Sequence, residues 1–117
     1  MFHMLSCFNL ANGISIDEFQ KSNTVFLEHM RELQLVQSNG PIGRRKRHPI
    51  MDTDKERDQE YFYIMTFLDE QQCDLAVKYI QSHELSGHSV HNSDHISIHR
   101  DVSSKIGDSV FICWEDI

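Results

Sequence analysis

The chain has 117 residues, 39% hydrophobic and 25% charged, which suits one ordinary globular domain over 1–117 that buries roughly two-thirds of its unfolded surface. A net charge of −7, with eight histidines counted neutral, argues against a nucleic-acid footprint across the domain. No apolar run approaches the roughly 20 residues needed to span a bilayer, and no basic segment precedes an apolar stretch at the start, so a cytoplasmic, non-membrane protein is expected.

Phe2–Leu10 (FHMLSCFNL) reads as a first strand. Its two alternating sets are Phe2, Met4, Ser6, Phe8, Leu10 and His3, Leu5, Cys7, Asn9. Both are largely apolar, so both faces want cover. Asn12-Gly13 marks a turn, and Ser15 with Glu18 makes a capping box that opens a helix. Ile16, Phe19, Phe26, Met30 and Leu33 fall on one stripe of that helix, widened by Leu27. It is expected to end near Leu35.

Gly40-Pro41, Gly43 and Pro49 interrupt Val36–Glu60. The segment predicts a twisted or bulged strand over about Leu35–Arg47, then a polar turn through Asp52–Asp58. Arg44-Arg45-Lys46-Arg47-His48 is the cationic cluster. It could clamp an anion, but Asp52, Asp54, Glu56, Asp58 and Glu60 are close enough to balance it. A charged strand protected from aggregation is the plainer reading.

Tyr61–Leu68 is aromatic and β-branched apart from Thr66, a strand buried on both faces. Asp69 and Gln72 form a second capping box, and Cys73, Ala76, Val77 and Ile80 give the next helix its inward stripe. Cys7, Cys73 and Cys113 form no C-x-x-C and read as small buried thiols. A short helix is expected from about His95 to Ile106, a turn at Gly107-Asp108 and a last strand over Val110–Glu115. The order predicts an α+β, ferredoxin-like βαββαβ fold: a four-stranded antiparallel sheet with both main helices on one face.

Two helices blanket one sheet face only. The other would show several hundred Å² of apolar surface, at or beyond the largest patch usual on a monomer. At roughly 25 cal/mol per Å², wetting it forfeits on the order of 10 kcal/mol. A twofold homodimer packed through the open faces is therefore expected.

The strand–helix order, the two doubly apolar strand–helix units and the aromatic–acidic ending Phe111-Ile112-Cys113-Trp114-Glu115-Asp116 together resemble the dimeric α/β-barrel superfamily. That group includes the stress-responsive A/B-barrel domain proteins of unknown function and the antibiotic-biosynthesis monooxygenases. The resemblance implies a homodimeric barrel with a ligand-sized cavity in each half, and no single chemistry. It also implies a histidine early in strand one that points into the cavity, a place His3 fills. The tryptophan pair of the cofactor-free oxygenases is missing from a chain with one tryptophan, and the asparagine–histidine–tryptophan set of the haem degraders, imitated by Asn9, His88 and Trp114, lacks spacing support.

The expected site follows from these readings. His3, on the set shared with Leu5 and Cys7, could relay a proton with Tyr63 (or Tyr61) and Glu115 (or Asp116) as partners, without a cofactor. Leu5, Cys7 and Trp114 would line a pocket for a small apolar or aromatic molecule. A rival reading places a metal or haem on His88, His91, His95 and His99, spaced three, four and four. Ser86-Gly87 and Asn92-Ser93-Asp94 favour a broken helix there. A third reading is a structural or interaction dimer with a filled barrel.

Overall fold

A computed structural model describes residues 1–85 and 93–117, with side chains over 1–82 and 98–117. Its elements run β1 (Phe2–Leu10), α1 (Ile16–Glu32), β2 (Ser38–Asn39), β3 (Gly43–Arg44), β4 (Tyr61–Phe67), α2 (Glu70–Leu85), α3 (Ser93–Ser103) and β5 (Ile106–Glu115). The fold is α+β and ferredoxin-like: an antiparallel sheet in the order β2-β4-β1-β5, with β3 also on β4 and the helices on one side. The sheet of one chain is open; it does not close on itself.

Register sorts the strand residues onto two faces, because successive side chains point opposite ways. Phe2, Met4, Ser6 and Phe8 pair with Phe67, Met65, Tyr63 and Tyr61. These make the helix-covered face, and its core is Phe8, Phe19, Phe26, Leu27, Met30, Val36, Tyr61, Tyr63, Phe67, Ala76 and Val102. Phe8 is its centre, its ring 4.7 Å from Phe19, 5.7 Å from Tyr61 and 6.0 Å from Tyr63. His3, Leu5 and Cys7 pair with Thr66, Ile64 and Phe62 on one side and with Trp114, Ile112 and Val110 on the other, forming the open face.

The caps form as the sequence indicates. Ser15 Oγ accepts from the Glu18 N–H at 3.2 Å while the Glu18 carboxylate takes the Ser15 N–H. At α2, Asp69 accepts from the Gln72 N–H at 2.8 Å, and Gln72 Oε1 reaches one residue further back, to the Leu68 N–H. The stripe of α1 differs at its end: the helix stops at Glu32 and Leu33 is exposed. Gln34 takes the left-handed φ of 60° there, letting its N–H reach Arg31 and the Leu35 N–H reach Met30. On α2, Ala76 is buried but Val77 is exposed.

Two further expectations are corrected. The strand over Leu35–Arg47 is split into β2 and β3, because Gly40-Pro41 stands between them and proline has no N–H for the ladder. Gly107-Asp108 makes no turn but lies inside β5. The register shifts between Phe8 and Leu10, and a Cβ at Gly107 would sit 3.2 Å from the Leu10 carbonyl oxygen. Glycine permits this close approach of two backbones. Of the cysteines only Cys7 is fully buried; Cys73 is half-buried and Cys113 exposed.

Among the described residues no helix is long and apolar enough to cross a membrane.

Candidate functional site

The open face has three zones. At one end His3 is held on both ring nitrogens: Nδ1 lies 2.9 Å from Thr66 Oγ1 and Nε2 lies 2.8 Å from Asp116 Oδ1. The Trp114 ring flanks the imidazole, centroid to centroid 5.3 Å. The terminal ammonium of Met1 stands 3.4 Å from the other Asp116 oxygen. Hydrogen bonding from His3, then the charges of His3 and the N-terminus, keeps the Asp116 carboxyl below its ordinary value.

In the middle the face is apolar. Leu5, Ile64, Ile112 and Val110 share it, and Ile64, Val110 and Trp114 are exposed. Among the described residues nothing from the helices covers this rank, since they pack on the other side.

The far end is roofed by the segment between β3 and β4. Arg45 pairs with Asp52 at 2.6 Å and donates to the Asp54 carbonyl and the Arg57 carbonyl, while Arg57 pairs with Asp54. With Leu5, Cys7, Phe62 and Ile112 these four charged residues line an open cleft of about 310 Å³. Burial pushes the Cys7 thiol up, against the pull of Arg57. Hydrogen bonds from the Arg57 side chain and from the backbone N–H groups of Glu56 and Arg57 bring Asp54 down to about 2. Asn9, Asp108 and Gln59 finish this end: Asp108 accepts from Asn9 at 2.9 Å and from Gln59 at 3.0 Å. The cationic cluster is balanced as its sequence neighbours suggest, with Arg44 on Glu60 and Arg47 on Asp58. A larger groove of about 800 Å³ lies elsewhere, between α1 and the Asn39–Ile42 segment.

The sheet divides the residues expected to act together. His3, Leu5, Cys7 and Trp114 do share the open face. Tyr63 does not: it pairs with Ser6 on the helix side, where burial pushes its hydroxyl up to about 12 against the pull of Ser6 and Asn23. Tyr61 shares that face, under the Arg44 guanidinium. Glu115 stands opposite Phe2, again on the helix side, so Asp116 is the acid that meets His3. Thr66 escaped sequence reasoning, as did the placing of the Arg45–Asp52–Asp54–Arg57 group over the open face, though not the balance of the Arg45 charge by Asp52 and Asp54. The polar residue in the otherwise apolar run Tyr61–Leu68 was the signal for Thr66; the roof had none beyond its balanced charges.

The histidine alternative falls largely out of view. His88 and His91 lie outside the described residues, as do the side chains of His83 and His95. The His99 ring lies 5.6 Å from that of Phe26, tilted 53° to it. Among the described residues no group of three or more His, Cys, Asp or Glu side chains is placed to hold a metal ion.

No family model matches the sequence and no curated protein is significantly similar to it. Solved structures are similar in shape. An Arabidopsis thaliana protein superposes with a TM-score of 0.66 at 7% identity, over 100% of this chain and 96% of that one. A dimeric ferredoxin-like protein of unknown function from a Jannaschia species gives 0.55 at 14% identity, over 98% of each chain. A NipSnap family protein of unknown function from Agrobacterium tumefaciens gives 0.55 at 14% identity, over 97% and 86%. The likeness is one of fold. It extends over nearly the whole chain.

Proposed function

We propose that the chain forms a homodimer through its open sheet face and binds a small, largely apolar or aromatic molecule between the two sheets, with His3 and Asp116 available for cofactor-free acid–base chemistry. One observation carries the reading: an imidazole fixed between a carboxylate and a hydroxyl on an apolar surface that the chain's own helices leave bare. The open-face rank of Ile64, Val110 and Trp114 supplies apolar area for a second copy to cover. The dimeric Jannaschia neighbour supports the same assembly, and the resemblance to stress-responsive A/B-barrel domains supports a ligand cavity.

Sedimentation velocity at micromolar concentration tests the pairing. The expected species is a dimer that Ile64→Lys converts to monomer, while Leu75→Lys, at an exposed position on α2, leaves it intact. A stable lone wild-type subunit overturns the reading. Trp114, the single tryptophan, gives the binding assay: its fluorescence should change on titration with a naphthol and stay constant with an aliphatic sugar.

A further inference from the structure

We infer that Thr66 is the side chain that meets the ligand, as the outward end of one proton relay, Asp116–His3–Thr66. This rests on the reading of the open face as a binding surface. Both ring nitrogens of His3 are already engaged, at 2.9 Å by Thr66 Oγ1 and at 2.8 Å by Asp116 Oδ1. An ionised carboxylate only accepts, so Nε2 carries its hydrogen toward Asp116. In the neutral imidazole Nδ1 then keeps the lone pair, and the Thr66 hydroxyl donates into it. With its own proton committed, the Thr66 oxygen offers its lone pairs to whatever lies over the sheet.

Position agrees with this. Thr66 is half-buried, on the same side of β4 as the exposed Ile64 and across β1 from Trp114. A ring laid on the apolar rank beside Trp114 can reach Thr66 Oγ1, whereas the imidazole nitrogens are already occupied. Facing the relay is the Met1 ammonium, 3.4 Å from the second Asp116 oxygen.

The step is a double proton shift. A ligand O–H bond breaks as its proton goes to Thr66 Oγ1, and the original Thr66 O–H bond breaks as that proton goes to His3 Nδ1. The ligand leaves as an anion and His3 as a cation, steadied by the ionised Asp116. An imidazole can take a proton efficiently only from an acid of comparable strength. The ligand class is therefore a phenol or enol acidified by its substituents, and not a simple alcohol.

Para-nitrophenol, whose phenolate absorbs in the visible, reads the step directly. Bound to wild-type protein, its ionisation is expected to shift by roughly one pH unit to lower pH. At saturating phenol Thr66→Val should lose the shift, and Thr66→Ser should restore it. An equal shift in Thr66→Val overturns the relay while leaving the binding surface standing; a wild-type protein that does not bind the phenol overturns the binding surface itself. Nitrogen NMR of the unliganded wild type is independent of any variant's folding: the Nε2–H form of His3 is expected, and a neutral Nδ1–H form overturns the relay.

Discussion

Arg45 holds Asp52 at both carboxylate oxygens, Nε to Oδ2 at 2.8 Å and Nη2 to Oδ1 at 2.6 Å, beside the cleft that Cys7 floors. Two parallel bonds to a planar guanidinium fix direction as well as distance. The pair is the clasp that lays the segment between β3 and β4 on the sheet. Arg45→Ala should therefore uncover Cys7, which is otherwise fully buried. Iodoacetamide labelling followed by peptide mass mapping, which separates Cys7 from Cys73 and Cys113, should show a rate increase on the order of tenfold as local opening becomes easier. An unchanged rate would mean that the roof is held by something else.

The same clasp sets an acid limit. Asp52, Asp54, Asp101, Asp108 and Asp116 are all held below the ordinary 3.8, Asp54 at about 2. A carboxyl with a depressed folded value contributes stability that is complete above its unfolded value and fades as pH falls toward its folded one. Urea midpoints should accordingly be flat from pH 7 to about 5 and fall steeply between about 4 and 2. Asp54→Asn should flatten part of that fall. A midpoint that rises on acidification would contradict the pairing.

Tyr63 offers a test of which side of the sheet matters. Its hydroxyl is buried with Ser6 and Asn23 in the helix-side core, where Ser6 Oγ makes no hydrogen bond, so Tyr63→Phe should cost at most about 1 kcal/mol of stability by urea unfolding. Ligand-induced quenching of Trp114, on the opposite side, should be unaltered. Lost quenching in a folded Tyr63→Phe protein would place the phenol in the binding site after all.

The end of α1 predicts a gain. Gln34 carries a side chain in the left-handed region at φ 60°, a strain of roughly 1–2 kcal/mol that glycine avoids at the expense of some unfolded-chain entropy. Gln34→Gly should raise unfolding free energy by roughly 0.5 kcal/mol. A loss of stability would show that the Gln34 side chain makes a contact worth more than the relief.

How much of this could be read beforehand follows from the range of each interaction. Caps and stripes are local, so Ser15–Glu18, Asp69–Gln72 and Phe19–Met30 were legible from spacing within one turn. The two-faced character of Phe2–Leu10 was legible for the same reason. Which face of Tyr61–Phe67 joins His3 was not, because parity between strands is set by pairing 63 residues apart, His3 with Thr66. That put Tyr63 and Glu115 one residue out of place and hid Thr66. The Gly107-Asp108 pair looks like a turn by composition; only the neighbouring backbone of Leu10 shows that the glycine is there for room. The roof was illegible because Arg45 finds Asp52 through the course of a loop, and sequence proximity of opposite charges fixes no such path.

Pro41 has a consequence for how copies of this domain can accumulate. It interrupts the outer rim of the sheet between β2 and β3, next to Arg44, while β5 forms the opposite rim over ten residues. Endless edge-to-edge stacking into a fibril requires two receptive rims per subunit. Here one is chemically blunted, so any strand addition at β5 would stop at a single edge-to-edge pair instead of propagating.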